Sequence, residues 1–380
     1  MVVELKKTVV VGMSGGVDST VAAILLINQG FEVIGITMKI WSGADAAQSL
    51  RKSGCYGPGE IYDISDAQQT CKQLGIAHKV LDLSQEYSQI VLQNFKSEYG
   101  LGRTPNPCIL CNPQIKFGLL LEKARSSGIN FDLFATGHYA RITPAADNSR
   151  YLLRKAADPQ KDQSYFLYRL SQPQLKGSLF PLGDLQKKQV RQIAVENGMV
   201  AIAEKHESQE FIDGGGYQDL FDEAARKPGN ILDTEGIIIG THPGIIHFTL
   251  GQRKGLGIGG EEKPLHVIQI NAADNSIVVG PKELTAVDEA TVGSLNWIAF
   301  GHLEAGLRAK CRLRSQQKEV PCTISAASDG RISVQFEDPQ YSATPGQSLV
   351  LYQEDVVLGG GIIEKVRQQH RQDSYPNLAA

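Results

Sequence analysis

The run Thr8-Val9-Val10-Val11-Gly12-Met13-Ser14-Gly15-Gly16-Val17-Asp18-Ser19 decides the fold of this 380-residue chain. Its first half, Thr8–Met13, is apolar and β-branched and reads as a buried strand. Its second half is a glycine loop that opens directly onto a helical pattern, Asp18–Gln29, closed by Gly30. Glycine lets a backbone approach a phosphate with no Cβ in the way. The N–H groups that open a helix point at an anion with the helix dipole behind them. Ser14 and Ser19 add hydroxyl donors. Asp18 repels a bare phosphate, so two roles are open to it: holding Mg2+ or capping the helix. The loop has neither the Lys-Ser/Thr pair of a Walker motif nor the GxGxxG of a dinucleotide fingerprint.

Outward from this loop, short β-branched runs alternate with helical segments. Glu32–Lys39, His78–Asp82 and Asp132–Thr136 read as strands; Ser65–Leu74, closed by Gly75, and a stretch near Tyr87–Tyr99 read as helices. That alternation predicts an α/β fold with a doubly wound, mostly parallel sheet. A further helix, Gln186–Asn197, puts Val190, Ile193 and Ala194 on one face. After about residue 212 the texture changes at Gly214-Gly215-Gly216, and from Ala286 the pattern becomes β. Leu307, Ala309, Cys311 and Leu313 alternate with Arg308, Lys310, Arg312 and Arg314. Ile332, Val334 and Phe336 follow an Asp329-Gly330 turn. We expect a nucleotide-binding domain over 1–212 and a small central β-rich domain over 213–285. A C-terminal antiparallel β-barrel over 286–367 and a polar tail over 368–380 complete the division.

Hydrophobic residues make up 42% and charged residues 21%, enough for several buried cores, and the net charge of −3 gives no global sign of a nucleic-acid partner. No apolar run reaches the roughly 20 residues of a membrane span, and the stretch after Lys6 and Lys7 is too short for a signal-peptide core. The expectation is a cytoplasmic protein. Six cysteines with one CxxC point to redox, sulfur or metal chemistry and not to a disulfide framework.

The glycine loop resembles the PP-loop signature SGGxDS, whose members cleave ATP between the α and β phosphates. On that reading Gly12, Met13, Ser14, Gly15, Gly16, Val17, Asp18 and Ser19 form the ATP site with Mg2+. Ligands of such sheets sit at the carboxyl ends of the strands, where Met38 and Gly137 fall beside the adenosine. The second distinctive segment is Gly102-Arg103-Thr104-Pro105-Asn106-Pro107-Cys108-Ile109-Leu110-Cys111-Asn112. Its prolines stiffen the loop that presents the CxxC, which suits a dithiol pair, half a zinc site or part of an iron–sulfur site.

These two segments, with Ile115-Lys116-Phe117, Ala135–Arg141, Lys161-Asp162-Gln163-Ser164-Tyr165-Phe166-Leu167 and Gly251–Gly257, resemble the tRNA-specific 2-thiouridylase family in order and over nearly the whole chain. The resemblance implies adenylation of the 2-oxygen of a tRNA wobble uridine, followed by displacement of AMP by a sulfur nucleophile. It implies Cys111 and Cys108 as catalytic cysteines, with Asn106, Pro107 and Cys108 lining the base. Lys161, Asp162, Gln163, Arg312 and Leu313 are then tRNA contacts. It also implies an upstream sulfur donor or carrier as a partner.

The chain departs from the family at Glu207-Ser208-Gln209-Glu210-Phe211-Ile212, where many members carry a further cysteine that receives sulfur as a persulfide. Two replacements are open: Cys108 and Cys111 acting as a pair, or Cys55 joining them to hold a [4Fe–4S] cluster with one open iron, the reading we prefer. Zinc on the same ligands explains less. Cys71, Cys311 and Cys322 read as buried structural residues. His138 is the one histidine in a motif, either beside the nucleotide or simply packed. The competing functions are another PP-loop ligase or amidotransferase and a non-catalytic tRNA-binding homologue.

Overall fold

In the computed structural model β1 (Thr8–Gly12) lies at the middle of a five-stranded parallel sheet, its Val9, Val10 and Val11 fully buried. The structure describes residues 6–43, 54–147, 149–205, 210–212, 216–259, 264–303, 306–341 and 343–368. The stretch Glu207–Gln209, Gly214, Gly215 and the polar tail beyond Gln368 lie outside them. The chain divides into two units. The first comprises residues 1–91, 107–216 and 354–357; the second comprises 92–106, 217–353 and 358–380.

In the first unit β1 leads through the loop into helix α1 (Val17–Asn28) and β2 (Glu32–Lys39). A short strand β3 (Gly54–Tyr56) precedes α2 (Glu60–Leu74), which ends at Gly75 in a left-handed turn of φ +69° and returns to β4 (Ala77–Asp82). The helix starts five residues before the expected Ser65, directly after Gly57-Pro58-Gly59 breaks the chain. Then come β5 (Leu133–Ala135), the hairpin β6 (Ala140–Pro144) and β7 (Tyr151–Lys155), β8 (Ser178–Leu179) and β9 (Glu210–Ile212).

The sheet order is β4-β2-β1-β5-β8, with all pairs parallel. The chain runs outward from β1 on one side and then restarts at β5 on the other. The crevice beyond the carboxyl ends of β1 and β5 is therefore the topological switch point where such sheets bind ligands. α1 is buried nearly all round. Val21, Ala22 and Ile24 pack towards Val190 and Ala194 of the helix Lys187–Glu196, and Ala23 and Leu26 pack onto the sheet with Cys71 of α2. Cys71 is thus a core residue, as expected.

The second unit contains a four-stranded sheet and a barrel. β10 (Gly229–Leu232), β11 (Ile238–His242), β12 (His266–Asn271) and β13 (Ser276–Gly280) lie in the order β11-β10-β13-β12 around Ile231, Val267, Ile277 and Val279. The barrel strands are β14 (Val287–Trp297), β15 (Leu307–Arg312), β16 (Val320–Ala326), β17 (Ile332–Gln340), β18 (Ser348–Gln353) and β19 (Val356–Gln368). They run in the order β14-β17-β16-β15-β18-β19, and β14 pairs again with β19 to close the ring. The expected alternation holds: Cys311, Leu313, Ile332, Val334 and Phe336 point into the core, and Arg308, Lys310 and Arg314 stay exposed. Among the described residues no helix is long and apolar enough to cross a membrane.

Leu351 is fully buried in the barrel core, and Trp297 packs against the same cluster. In a Trp41→Phe background, where Trp297 is the remaining tryptophan, Leu351→Ala is expected to lower barrel stability by about 2–5 kcal/mol. The urea midpoint of Trp297 fluorescence measures it.

Candidate active site

The phosphate loop is wired internally. Ser14 N–H donates to Ser19 Oγ at 3.2 Å, the two serine hydroxyls lie 3.2 Å apart, and Ser19 Oγ donates to the Gly16 carbonyl at 3.1 Å. Gly15 has φ +71°, and a Cβ there would lie 2.5 Å from the Asp63 carbonyl oxygen, so both its conformation and its neighbour in α2 demand glycine. Gly16 is the N-cap of α1 and supplies no side-chain acceptor. The first N–H groups of α1 are left for an anion. Gly137, after β5, packs so tightly on the start of α1 that a Cβ would lie 2.7 Å from the Asp18 carbonyl carbon. Met13 and Val17 are core residues, so only their backbones face the crevice, and Met38 is half-buried near the end of β2.

Asp18 does not cap α1, which corrects one of its two expected roles. Its Oδ1 accepts hydrogen bonds from Tyr139 Oη at 2.7 Å and from Lys187 Nζ at 2.7 Å. Tyr139 is in turn held by Gln163, whose Oε1 accepts from the Tyr139 N–H at 2.9 Å and whose N–H donates to the Tyr139 carbonyl at 2.8 Å. Asp162 accepts from the N–H groups of Ala156 and Ser164 and from Ser164 Oγ. Gln163 therefore supports the phosphate loop through Tyr139, and Asp162 fixes the turn that carries it. A second lysine, Lys205, bonds Asp63 and Asp66 at 2.9 Å each and the Gly15 carbonyl at 3.2 Å, strapping the loop to α2.

The cysteines of the CxxC do not sit on a loop. Pro107 opens a helical turn, Pro107–Leu110, which continues as a π-helical segment, Cys111–Leu119, and then as Leu120–Ser126. Proline suits the first turn of a helix because its missing N–H has no partner there anyway. Asn112 anchors the helix by donating to the Phe166 carbonyl at 2.9 Å. Cys55, on β3, is exposed in part, Cys108 is half-buried and Cys111 is buried. Burial pushes the Cys108 thiol up to about 12 and the Cys111 thiol up to about 11, and it raises Cys55 as well. The thiols feel one another's charge, and the Lys116 ammonium acts on all three in the opposite sense. Desolvation wins. Among the described residues no three His, Cys, Asp or Glu side chains are grouped so as to hold a metal ion.

β3 pairs in parallel with β9, Gly54 opposite Glu210 and Tyr56 opposite Ile212. Cys55 thus lies beside the segment that lacks the further cysteine. Tyr56 stacks on Tyr87 at 5.6 Å and meets Trp41 edge-on at 4.9 Å. His138 is hydrogen-bonded to Thr136 Oγ1 at 2.7 Å and packed beside Phe117 and Phe180, and burial holds it neutral.

Three expected RNA-contact residues fall in the second unit. Asn106 follows a segment fixed there by Thr104, whose N–H donates to the Pro345 carbonyl at 2.9 Å. Arg312 is spoken for: it pairs with Glu319 at 3.0 Å, lies over the Tyr352 ring, and its side chain is 14% exposed. Leu313 is 0% exposed, so its backbone alone can meet a ligand.

The first unit matches a family model described as a tRNA methyl transferase HUP domain over residues 7–212. A tRNA methyl transferase PRC-barrel domain matches 220–281, and an aminomethyltransferase beta-barrel domain matches 287–363. A tRNA-specific 2-thiouridylase MnmA of Acetivibrio thermocellus is 46% identical over 364 residues, covering 94% of this chain and 99% of that protein. One of Endomicrobium trichonymphae is 44% identical, covering 95% and 99%. The chain belongs to the tRNA-specific 2-thiouridylase family. Among solved structures, a 4-thiouridine synthetase–RNA complex with bound ATP is 13% identical at a TM-score of 0.32, covering 54% of this chain and 44% of that one.

Within this family fold, Tyr139, which falls in the Ala135–Arg141 motif without a role of its own, joins the site together with Lys187 and Lys205, which no sequence signal singled out. Lys187 lies in a polar helix start with no glycine or cysteine to draw notice, and Lys205 directly precedes the stretch that does not follow the family pattern.

Two measurements check this geometry. Gly137→Ala is expected to push the start of α1 aside and to weaken ATP binding at least about tenfold, read by calorimetry. With a pKa raised to about 11, roughly one Cys111 thiol in a thousand is ionised at pH 8. Alkylation of Cys111 by iodoacetamide, followed by mass spectrometry on metal-free reduced protein, should therefore rise about tenfold per pH unit from pH 7 to 10.

Proposed function

We propose that this chain is an ATP-dependent tRNA sulfurtransferase that converts the wobble uridine to 2-thiouridine. The observation that carries the reading is that one helix borders both features: the Asp63 carbonyl of α2 meets the Gly15 position, and the strand that bears Cys55 leads directly into α2. One unit thus holds an anion cradle beside a set of sulfur nucleophiles. Methyl transfer, the activity named by two of the matching family models, does not call for a triphosphate cradle. Thiolation needs both, and it is the activity in the names of the relatives.

The uracil 2-oxygen attacks the α-phosphorus of ATP, the α–β bridging bond breaks and pyrophosphate leaves. A sulfur nucleophile then attacks C2, and AMP departs with the former oxygen. Ser14–Ser19 hold the phosphates, and Gly137 closes the wall beside them. Asp18 fits Mg2+, because both its hydrogen bonds fall on Oδ1 and this ion commonly takes one or two carboxylates together with phosphate oxygens. The base leaves its stack to reach Asn106, Pro107 and Cys108. Lys161, Asp162, Gln163, Arg312 and Leu313 contact tRNA, the buried members through their backbones. The division of labour is 1–212 for chemistry, with 213–285 and 286–367 for tRNA.

For the sulfur half, Cys55, Cys108 and Cys111 are the handling site, with Cys111 delivering and an upstream carrier supplying. Cys55 stands in for the absent cysteine through the β3–β9 pair. Zn–S bonds of about 2.3 Å put thiolates roughly 4 Å apart around one ion, an arrangement the described thiols do not make. A [4Fe–4S] cluster on them would supply an open iron for sulfide.

With unmodified tRNA and sulfide, AMP release is expected to depend on tRNA and to be matched by thiouridine in nuclease digests. AMP release on a small carboxylate without tRNA would overturn the reading, as would tRNA binding with no thiouridine in air or under nitrogen. Anaerobically purified protein is expected to carry iron and sulfide that Cys55→Ala loses; iron-free protein of full activity leaves the cysteine pair as the sulfur path.

A further inference from the structure

A triphosphate in the Ser14–Ser19 loop meets backbone N–H groups and two hydroxyls, and no residue of the loop carries positive charge. A Walker loop supplies its own lysine; this loop does not. Beyond a divalent ion, any protein cation that neutralises the pyrophosphate leaving group must come from elsewhere in the fold.

Two lysines reach the loop, and their surroundings separate them. Lys205 is gripped by Asp63, Asp66 and the Gly15 carbonyl, so two carboxylates outnumber its charge. It is a strap. Lys187 lies with Asp18, the second residue of α1, at 2.7 Å. Its side chain is 12% exposed, and its ammonium lies 5.7 Å from the centre of the Tyr139 ring. The root of Lys187 is fixed. It is the first residue of the helix Lys187–Glu196, its N–H donates to Asp158 Oδ2 at 3.0 Å, and a reciprocal Gln186–Gln189 capping box sets the helix start. Val190 and Ala194 of that helix pack with Val17 and Val21 of α1. Backbone and loop therefore keep their spacing while the side chain swings. Asp18, once left, keeps its Tyr139 hydrogen bond.

We propose that Lys187 is the phosphate-binding lysine of this site, parked on Asp18 until nucleotide arrives and then transferred to the oxygens of the β and γ phosphates. The inference rests on the ATP reading above and names the residue that completes it. The transfer leaves a carboxylate facing the phosphates, where it is available to a divalent cation. No bond is made or broken in the exchange; one ion pair replaces another.

The test is equilibrium binding of inorganic pyrophosphate and, separately, of adenosine, by calorimetry without divalent cation. Lys187→Met should bind pyrophosphate about 10–100-fold more weakly than wild type, the range of a lost charge-assisted hydrogen bond. Its adenosine affinity should stay within about twofold, and Lys187→Arg should recover most of the loss. Asp18→Asn removes a carboxylate that both holds the lysine and repels phosphate and should bind pyrophosphate several-fold more tightly. Adding Lys187→Met to Asp18→Asn should then cost about 10–100-fold, a loss that a merely structural ion pair, already gone, cannot produce. Unchanged pyrophosphate binding by Lys187→Met overturns the proposal, and so does an equal loss of adenosine and pyrophosphate. If Lys187→Met does not fold, the Asp18→Asn/Lys187→Met double variant, which leaves neither charge unpaired, decides: pyrophosphate binding equal to that of Asp18→Asn overturns it. Wild-type protein that binds neither ATP nor pyrophosphate sinks the ATP reading itself.

Discussion

The left-handed turn at Gly15 is the constraint on which the site depends. Because that residue has no Cβ, the backbone of α2 comes down onto the loop at Asp63. β3 lies just upstream of α2, so the approach that seats α2 also seats Cys55. The same turn leaves α1 with no side-chain cap, which would be a defect in an ordinary helix and is the working surface of this one. Loop, helix and thiol-bearing strand are placed by one dihedral angle.

Around that turn the charges are arranged in compensated pairs. Asp18 is matched by Lys187, and Lys205 by two aspartates. The thiols are held protonated by burial, with the Lys116 ammonium opposing the shift. Each charge of these pairs thus has an opposite charge in contact with it. Buried groups left uncompensated would cost several kcal/mol each, so the pairing also keeps the ligand-free fold intact.

Local signals were enough for the sheet, the loop and the barrel. Glu32–Lys39 was legible residue for residue because β-branched alternation between turn signals has few competing readings. The barrel alternation at Cys311 and Leu313 was legible for the same reason. The CxxC was not: read as a stiff loop, it opens a helix, because Pro107 fits a first helical turn as well as a bend and only tertiary packing, including the Asn112–Phe166 hydrogen bond, decides between them. Asp18 was read from its neighbours in sequence as a cap or a metal ligand, and its partners came from distant segments. Arg312 looked like part of a basic stripe, yet Glu319 and Tyr352 withdraw it from solvent. Period and spacing report the element a residue sits on; they do not report which remote side chain will face it.

The parallel pairing of β3 with β9 has a consequence for how kinship in this family is read. Two segments more than 150 residues apart in the chain lie side by side, one bearing Cys55 and the other the place where a thiol is wanting. Neighbouring strands of a ladder run about 5 Å apart, so the pairing carries Cys55 to the side of that segment whatever the distance between them in sequence. A column-by-column comparison keeps the order of residues along the chain and loses this adjacency.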